Sequence, residues 1–240
     1  MKYIYGPVQS RRLGYSLGIT LTPQKVCSFD CIYCQLGRTP RTTSLRKEYI
    51  PVREIVDELK LWRAHHPQEA AGLSYITFSG FGEPTLHAGI AVLIDEIKQV
   101  MPGTPLALIT NASMLSDPGV RQEIGRVDLL VPSLDAVTQK VFERIDRPQP
   151  GITVDAVITG LREARKGFAG KFWLEVMLVS GVNDDLRHIK KLKAVVDELH
   201  PDKVQLNSPV RTTADSGVMP VRPAKLKKIK ELLGENCEII

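Results

Sequence analysis

Cys27-Ser28-Phe29-Asp30-Cys31-Ile32-Tyr33-Cys34 places three thiols in one short stretch, spaced C-x3-C-x2-C, and no further cysteine follows until Cys237. A structural zinc site closes a tetrahedron of four ligands, usually two C-x2-C pairs or cysteines joined by histidines. Nothing near the stretch completes such a set: His65 and His66 lie well downstream, at the end of a helical pattern. An iron-sulfur cube bound by only three cysteines leaves one iron with open positions where a small molecule can bind. The spacing therefore predicts a metal centre on Cys27, Cys31 and Cys34 with one iron open. A labile zinc site, or thiols without a ligand role, stands as the plainer alternative.

The segments on either side of this stretch decide the fold. Residues 15–22 are apolar and β-branched, stop at Pro23, and predict a strand that feeds directly into the cysteines. Residues 51–66 carry Val52, Ile55, Val56, Leu59 and Trp62 at helical spacing behind Pro51. The alternation continues with strands over 74–79, 106–110, 129–133, 172–179 and 204–207. Helices are predicted over 88–101, 118–125, 137–145, 154–166, 185–199 and 223–233. Strands alternating with helices imply parallel pairing through right-handed crossovers. The prediction is an α/β fold with a parallel sheet, built either as a partial (β/α)6 barrel or as a doubly wound sheet, which periodicity alone does not separate. One domain is expected over 1–240, with 1–14 as an N-terminal extension, 15–210 as the barrel core and 211–240 as a C-terminal helix and tail.

The chain's 240 residues and 43% hydrophobic content suit one well-buried soluble domain. The opening has no apolar signal core and no window reaches the length of a membrane span, so a cytoplasmic protein away from membranes is expected. The net charge of +5 is compatible with an RNA partner. Basic residues from Arg38 to Lys47 follow the cysteines and could frame an anionic substrate. Lys225, Lys227, Lys228 and Lys230 fall on an amphipathic helix and read as a solvated face.

Function in such folds gathers at the carboxyl ends of the strands. Strand after strand ends there on polar or glycine residues: Gly80-Phe81-Gly82-Glu83, Thr110-Asn111, Ser133 and Asp135, Ser180 to Asp184, and Asn207-Ser208. Asp117, Asp185 and Ser116 read as helix caps or turns. The remaining ring reads as a cofactor pocket. Gly80 and Gly82 allow a ligand to approach the main chain closely.

With an aromatic residue before its last cysteine, the C-x3-C-x2-C stretch resembles the signature of the radical S-adenosylmethionine superfamily. The Gly80 to Thr85 stretch resembles that superfamily's glycine-glutamate motif. The resemblance implies the partial (β/α)6 barrel of the radical SAM core, and that Cys27, Cys31 and Cys34 ligate a 4Fe-4S cluster. It implies further that Gly80, Gly82 and Glu83 hold the amino end of S-adenosyl-L-methionine. Asn111, Ser133 and Asp135 would face its carboxylate and ribose, and Tyr33 and Asn207 its adenine. The opening, Gly6 to Gly18, with Arg144-Ile145-Asp146-Arg147-Pro148, resembles a narrower group of small enzymes related to wyosine tRNA synthetase, although the extra N-terminal cysteines of that synthetase's second cluster are missing.

The implied activity is reductive cleavage of S-adenosylmethionine for hydrogen abstraction, with reduced flavodoxin or ferredoxin as electron donor. A tRNA base is the first substrate class. A glycyl-radical enzyme or other protein is the second, and a non-catalytic electron-transfer module is the remaining alternative. Arg11 and Arg12, expected at the barrel mouth, together with Arg147 and Asn183, are the candidate substrate contacts.

Overall fold

The computed structural model describes residues 1–240. Its sheet has eight strands in sequential order: β1 (Ile4–Ser10), β2 (Gly14–Ile19), β3 (Tyr75–Phe78), β4 (Leu106–Thr110), β5 (Leu129–Pro132), β6 (Lys171–Met177), β7 (Lys203–Asn207) and β8 (Cys237–Ile239). β1 runs antiparallel to β2, and every later pairing is parallel. A doubly wound sheet reverses its strand order at a switch point. This order never reverses and β1 does not pair with β8, so the sheet is an open, partial barrel.

Eight helices connect or follow the strands: α1 (Val52–His65), α2 (Pro67–Ala71), α3 (Ile90–Val100), α4 (Pro118–Ile124), α5 (Gln139–Ile145), α6 (Val154–Gly167), α7 (Leu186–Leu199) and α8 (Pro223–Leu233). Right-handed crossovers in a sequential sheet put the helices on one face, and strand alternation shows which. Leu17, Ile76, Leu108, Leu130, Leu174 and Leu206 join Leu59, Leu93, Leu161 and Leu192 of the helices in one large core. The alternate positions Ala107, Leu129 and Val131 face the barrel interior, where Leu13 covers them and Tyr75, Ile109 and Trp173 pack alongside. α1 shows why the pattern was readable: Ile55, Val56, Leu59 and Trp62 form its buried stripe, and the chain leaves the helix at His66, just ahead of Pro67. Burying each such side chain contributes about 1.5–3 kcal/mol.

Two strands went unforeseen. Residues 4–10, expected as an extension, form β1. Gly6 and Pro7 interrupt its apolar pattern, and its outer side is exposed, as an edge position permits. β8 is three residues long and contains Cys237, which is buried against the core.

Candidate cofactor site

The cysteines lie on the long connection from β2 to α1, and the loop is held by backbone pairing rather than by regular structure. The Cys27 carbonyl accepts from Thr43 N–H (2.9 Å), while Glu83 N–H donates to the Val26 carbonyl (2.9 Å). On the other side Asp30 N–H reaches the Asp146 carbonyl (3.0 Å), Ile32 N–H the Ile145 carbonyl (2.9 Å) and Gln149 N–H the Ser28 carbonyl (2.8 Å). The loop thus bridges the end of β3 and the segment after α5. Cys27, Cys31 and Cys34 are free and partly exposed, whereas Cys237 is buried elsewhere.

Glu83 organises the strand ends. Its buried Oε1 accepts from Thr85 N–H (3.0 Å), Thr85 Oγ1 (2.6 Å) and Thr110 Oγ1 (2.7 Å), and Oε2 accepts from Asn111 N–H (2.7 Å). Burial raises its pKa against these hydrogen bonds. The carboxylate therefore ties β3 to β4 and faces into the protein. Gly80 and Gly82 take φ of +102° and +104°, and at Gly82 the Val26 backbone leaves no room for a β-carbon. Asn111 donates through Nδ2 to Ser28 Oγ (2.9 Å) and approaches Cys27 Sγ at 3.5 Å.

A second group forms behind Cys31. Tyr33, Asn111, Ser133, Asp135 and Asp146 share a small cavity floored by Phe29 and Phe142. Tyr33 hydroxyl donates to Asp135 Oδ2, Met177 N–H donates to Asp135 Oδ1 (2.7 Å), and Cys31 Sγ lies 3.4 Å from Asp146 Oδ1. Burial pushes Asp135 up to about 7, and burial followed by the neighbouring Asp135 charge holds Asp146 well above the carboxylate range. Burial also pushes the Cys27 thiol up to about 12 and Cys31 well above its ordinary value. Thiols in such surroundings ionise when a bound metal compensates the charge.

The other candidates are placed differently. Asn207 is buried at the end of β7, with Nδ2 3.3 Å from Glu175 Oε1 and apart from Tyr33's cavity. The backbone of Arg11 and Arg12 lies in the β1–β2 turn, at the amino ends of the parallel strands rather than at the mouth. Arg11 is exposed there, whereas the Arg12 side chain runs inward to Glu175 Oε2 (2.7 Å), beside Ser133 and Asn207. The turn sits there because the antiparallel β1 returns the chain to the bottom of the barrel. Asn183 is also corrected: it is fully buried, and its amide joins the Asp135 and Met177 carbonyls (both 2.8 Å), so it shapes the loop rather than meeting substrate. Arg147 is turned to Asp215. Within the basic run Arg38 pairs with Asp30 and Asp215, Arg46 pairs with Glu123, and Arg41 has no carboxylate partner. Asp117 and Asp185 cap α4 and α7 as expected, whereas Ser116 offers its carbonyl to Arg121 (3.0 Å).

Thr110 stood in the strand-end ring read from the sequence, whereas the parts played by Asp146, Glu175, Ser28 and Asp215 were missed. Ser28 and Asp146 lay inside stretches already singled out, Cys27 to Cys34 and Arg144 to Pro148. Glu175 and Asp215 gave no local signal.

The chain belongs to the Radical SAM superfamily, whose profile matches residues 21–192. Its members are enzymes that use a 4Fe-4S cluster and S-adenosylmethionine. Among individual proteins it is similar to a UPF0026 protein of Methanocaldococcus jannaschii, with 32% identity over 98% of this chain and 74% of that one. It is 39% identical, over 99% of its own length, to a protein of Brachyspira hyodysenteriae named GTPase Obg, but spans only 34% of that protein. A radical SAM methyltransferase from Sphaerobacter thermophilus shares the fold, with a TM-score of 0.72 at 16% identity over 94% of this chain and 65% of that one.

The residues present suit the superfamily's cofactors. Three free thiols spread along a pinned loop match a cube, in which each cysteine meets a different iron.

Proposed function

We propose that Cys27, Cys31 and Cys34 ligate a 4Fe-4S cluster and that the strand ends beside them hold S-adenosylmethionine. When bound, the cluster supplies the electron that cleaves the sulfonium bond to methionine and a 5′-deoxyadenosyl radical, which takes a hydrogen from substrate. The observation that carries this reading is the pinning of Val26-Cys27 directly onto Gly82-Glu83, which sets the thiol loop against the glycine turn. That turn exposes main chain to the amino group, and Glu83 fixes its shape through four internal hydrogen bonds. Asn111, Ser133 and Asp135 line the polar side for the carboxylate and ribose. Tyr33 stands on the same side, and its hydroxyl is oriented by Asp135. Asn207 is too deep to reach the adenine directly, so its part is to support Glu175.

Reduced flavodoxin or ferredoxin is the proposed electron donor. A tRNA base is the proposed substrate class, supported by the wyosine-like opening and by the cationic stretch of which Arg41 is unpaired. The decisive measurement is electron paramagnetic resonance of the anaerobically reconstituted, reduced protein, with and without S-adenosylmethionine. A 4Fe-4S signal that shifts on addition, with 5′-deoxyadenosine formed under dithionite, supports the reading. A signal indifferent to S-adenosylmethionine sinks it. Salt-dependent retention of total tRNA on the protein tests the substrate class, and retention of none favours a protein substrate.

A further inference from the structure

Residues 208–222 run from β7 to α8 without regular structure, and they return to the cysteine loop. At their centre Asp215 donates its N–H to the Ile32 carbonyl (3.0 Å). Its carboxylate accepts from Arg147 on both terminal nitrogens, with Nη1 at 3.1 Å, and from Arg38 Nη1, also at 3.1 Å. Arg38 in turn lies 3.0 Å from Asp30 Oδ2. Asp30 and Arg38 bracket Cys31 and Cys34, and Ile32 lies between those cysteines. One residue thus holds the middle of this peptide directly, one end through Arg38, and the other end through the Arg38–Asp30 pair.

The surroundings are built for the contact. Thr213 Oγ1 donates to the Asp215 carbonyl (2.7 Å), and Ser180 N–H fastens the far end of the segment to the Met219 carbonyl (3.0 Å). Arg147 adopts φ of +44°, a left-handed conformation that is unfavourable for a non-glycine residue. The bidentate pairing with Asp215 offsets that strain. Side-chain exposure is 55% at Arg38, 33% at Arg147, 32% at Asp215 and 16% at Asp30, so Asp30 is mostly covered while the links through Asp215 remain open to salt. Linked charges of this kind hold geometry better than an isolated surface pair.

We propose that Asp215 is a positioning residue for the cluster ligands Cys31 and Cys34, and that the Asp30–Arg38–Asp215–Arg147 clasp slows loss of iron by keeping the two thiolates in register. The inference rests on the reading that these cysteines bind the cluster. It is tested on reconstituted, dithionite-reduced protein by the rate of iron release to a ferrous chelator and by the cluster's paramagnetic spectrum, at low and high salt. Asp215→Ala is expected to release iron about tenfold faster than the parent at low salt, the change corresponding to ~1.4 kcal/mol. Raising the salt should speed the parent and leave the variant nearly unchanged. Asp215→Glu should restore slow release, and Arg147→Ala should add little to Asp215→Ala. Should Asp215→Ala fail to fold, Asp215→Asn, which keeps the shape and halves the acceptors, takes its place. Equal release from parent and variant at low salt, with or without a loss of global stability, overturns the clasp. If the parent itself takes up no cluster, the ligand reading is what has failed, and the clasp falls with it.

Discussion

Gly82→Ala tests the contact on which the site depends. A β-carbon at Gly82 would stand 1.8 Å from the Val26 carbonyl oxygen and 2.6 Å from its carbon, and the residue sits at φ +104°. The left-handed conformation alone costs an alanine about 1–2 kcal/mol. Relieving the overlap moves the two backbones apart by more than an ångström, which breaks the Glu83-to-Val26 hydrogen bond, worth about 1 kcal/mol, and shifts Cys27. Together these give about 2–3 kcal/mol. Gly37→Ala is the matched control. It lies in the same loop at φ +76° with nothing within 4 Å, so it bears the conformational cost only. Urea denaturation of the cluster-free proteins and iron content after reconstitution should separate the two. Gly37→Ala loses about 1–2 kcal/mol and keeps its cluster, whereas Gly82→Ala loses about 2–3 kcal/mol and most of its iron. Equal stability losses with full iron in both would refute the reasoning, because the Val26–Gly82 contact would then place nothing.

Arg12→Ala leaves the Glu175 carboxylate buried without its cation; breaking a fully buried pair costs about 3–5 kcal/mol, and with Arg12 partly exposed about 2 is expected. Chemical denaturation should show most of that recovered in Arg12→Ala/Glu175→Gln, with Arg11→Ala near neutral. Asp135 is raised to about 7 from 3.8, so between those values the folded state keeps a proton that the unfolded state has released, and stability falls as pH rises through this window. In cluster-free protein, Asp135→Asn should flatten that fall, as followed by urea midpoints from pH 4 to 8. Cys34→Ala should abolish the cluster absorbance, while Cys237→Ala keeps it and costs about 1 kcal/mol for the small cavity left behind.

The order of elements was legible because each helix and inner strand writes its burial into its own sequence. The helix at residues 223–233 and the strand at 106–110 match the structure residue for residue, and the other inner elements shift by a few positions at most. Periodicity alone did not make the barrel-or-sheet choice legible, because both use the same local pattern and differ only in which strands become neighbours; the partial barrel came from the resemblance carried by the cysteine and glycine motifs, and the strand order bears it out. β1 was hidden for a related reason. An edge strand exposed on one side carries weak alternation, and Pro7 further obscures it.

Within the site, legibility follows how far a side chain's purpose lies from its own neighbours. The cysteine triplet and the two glycines announce themselves, since thiol spacing and left-handed backbone are local properties. Arg12 and Arg147 read as substrate contacts, yet in the structure their partners are Glu175 and Asp215, each more than sixty residues away. A sequence displays the arginine's charge but not the carboxylate that will neutralise it, so from sequence both read as free to meet a ligand. In an open barrel this error has a direction. Strand-end and turn residues brought together by the fold first satisfy one another, because a buried charge without a partner is costlier than a forgone ligand contact. Cations left over at the rim, such as Arg41, are therefore better candidates for an anionic substrate than those whose positions first suggested it.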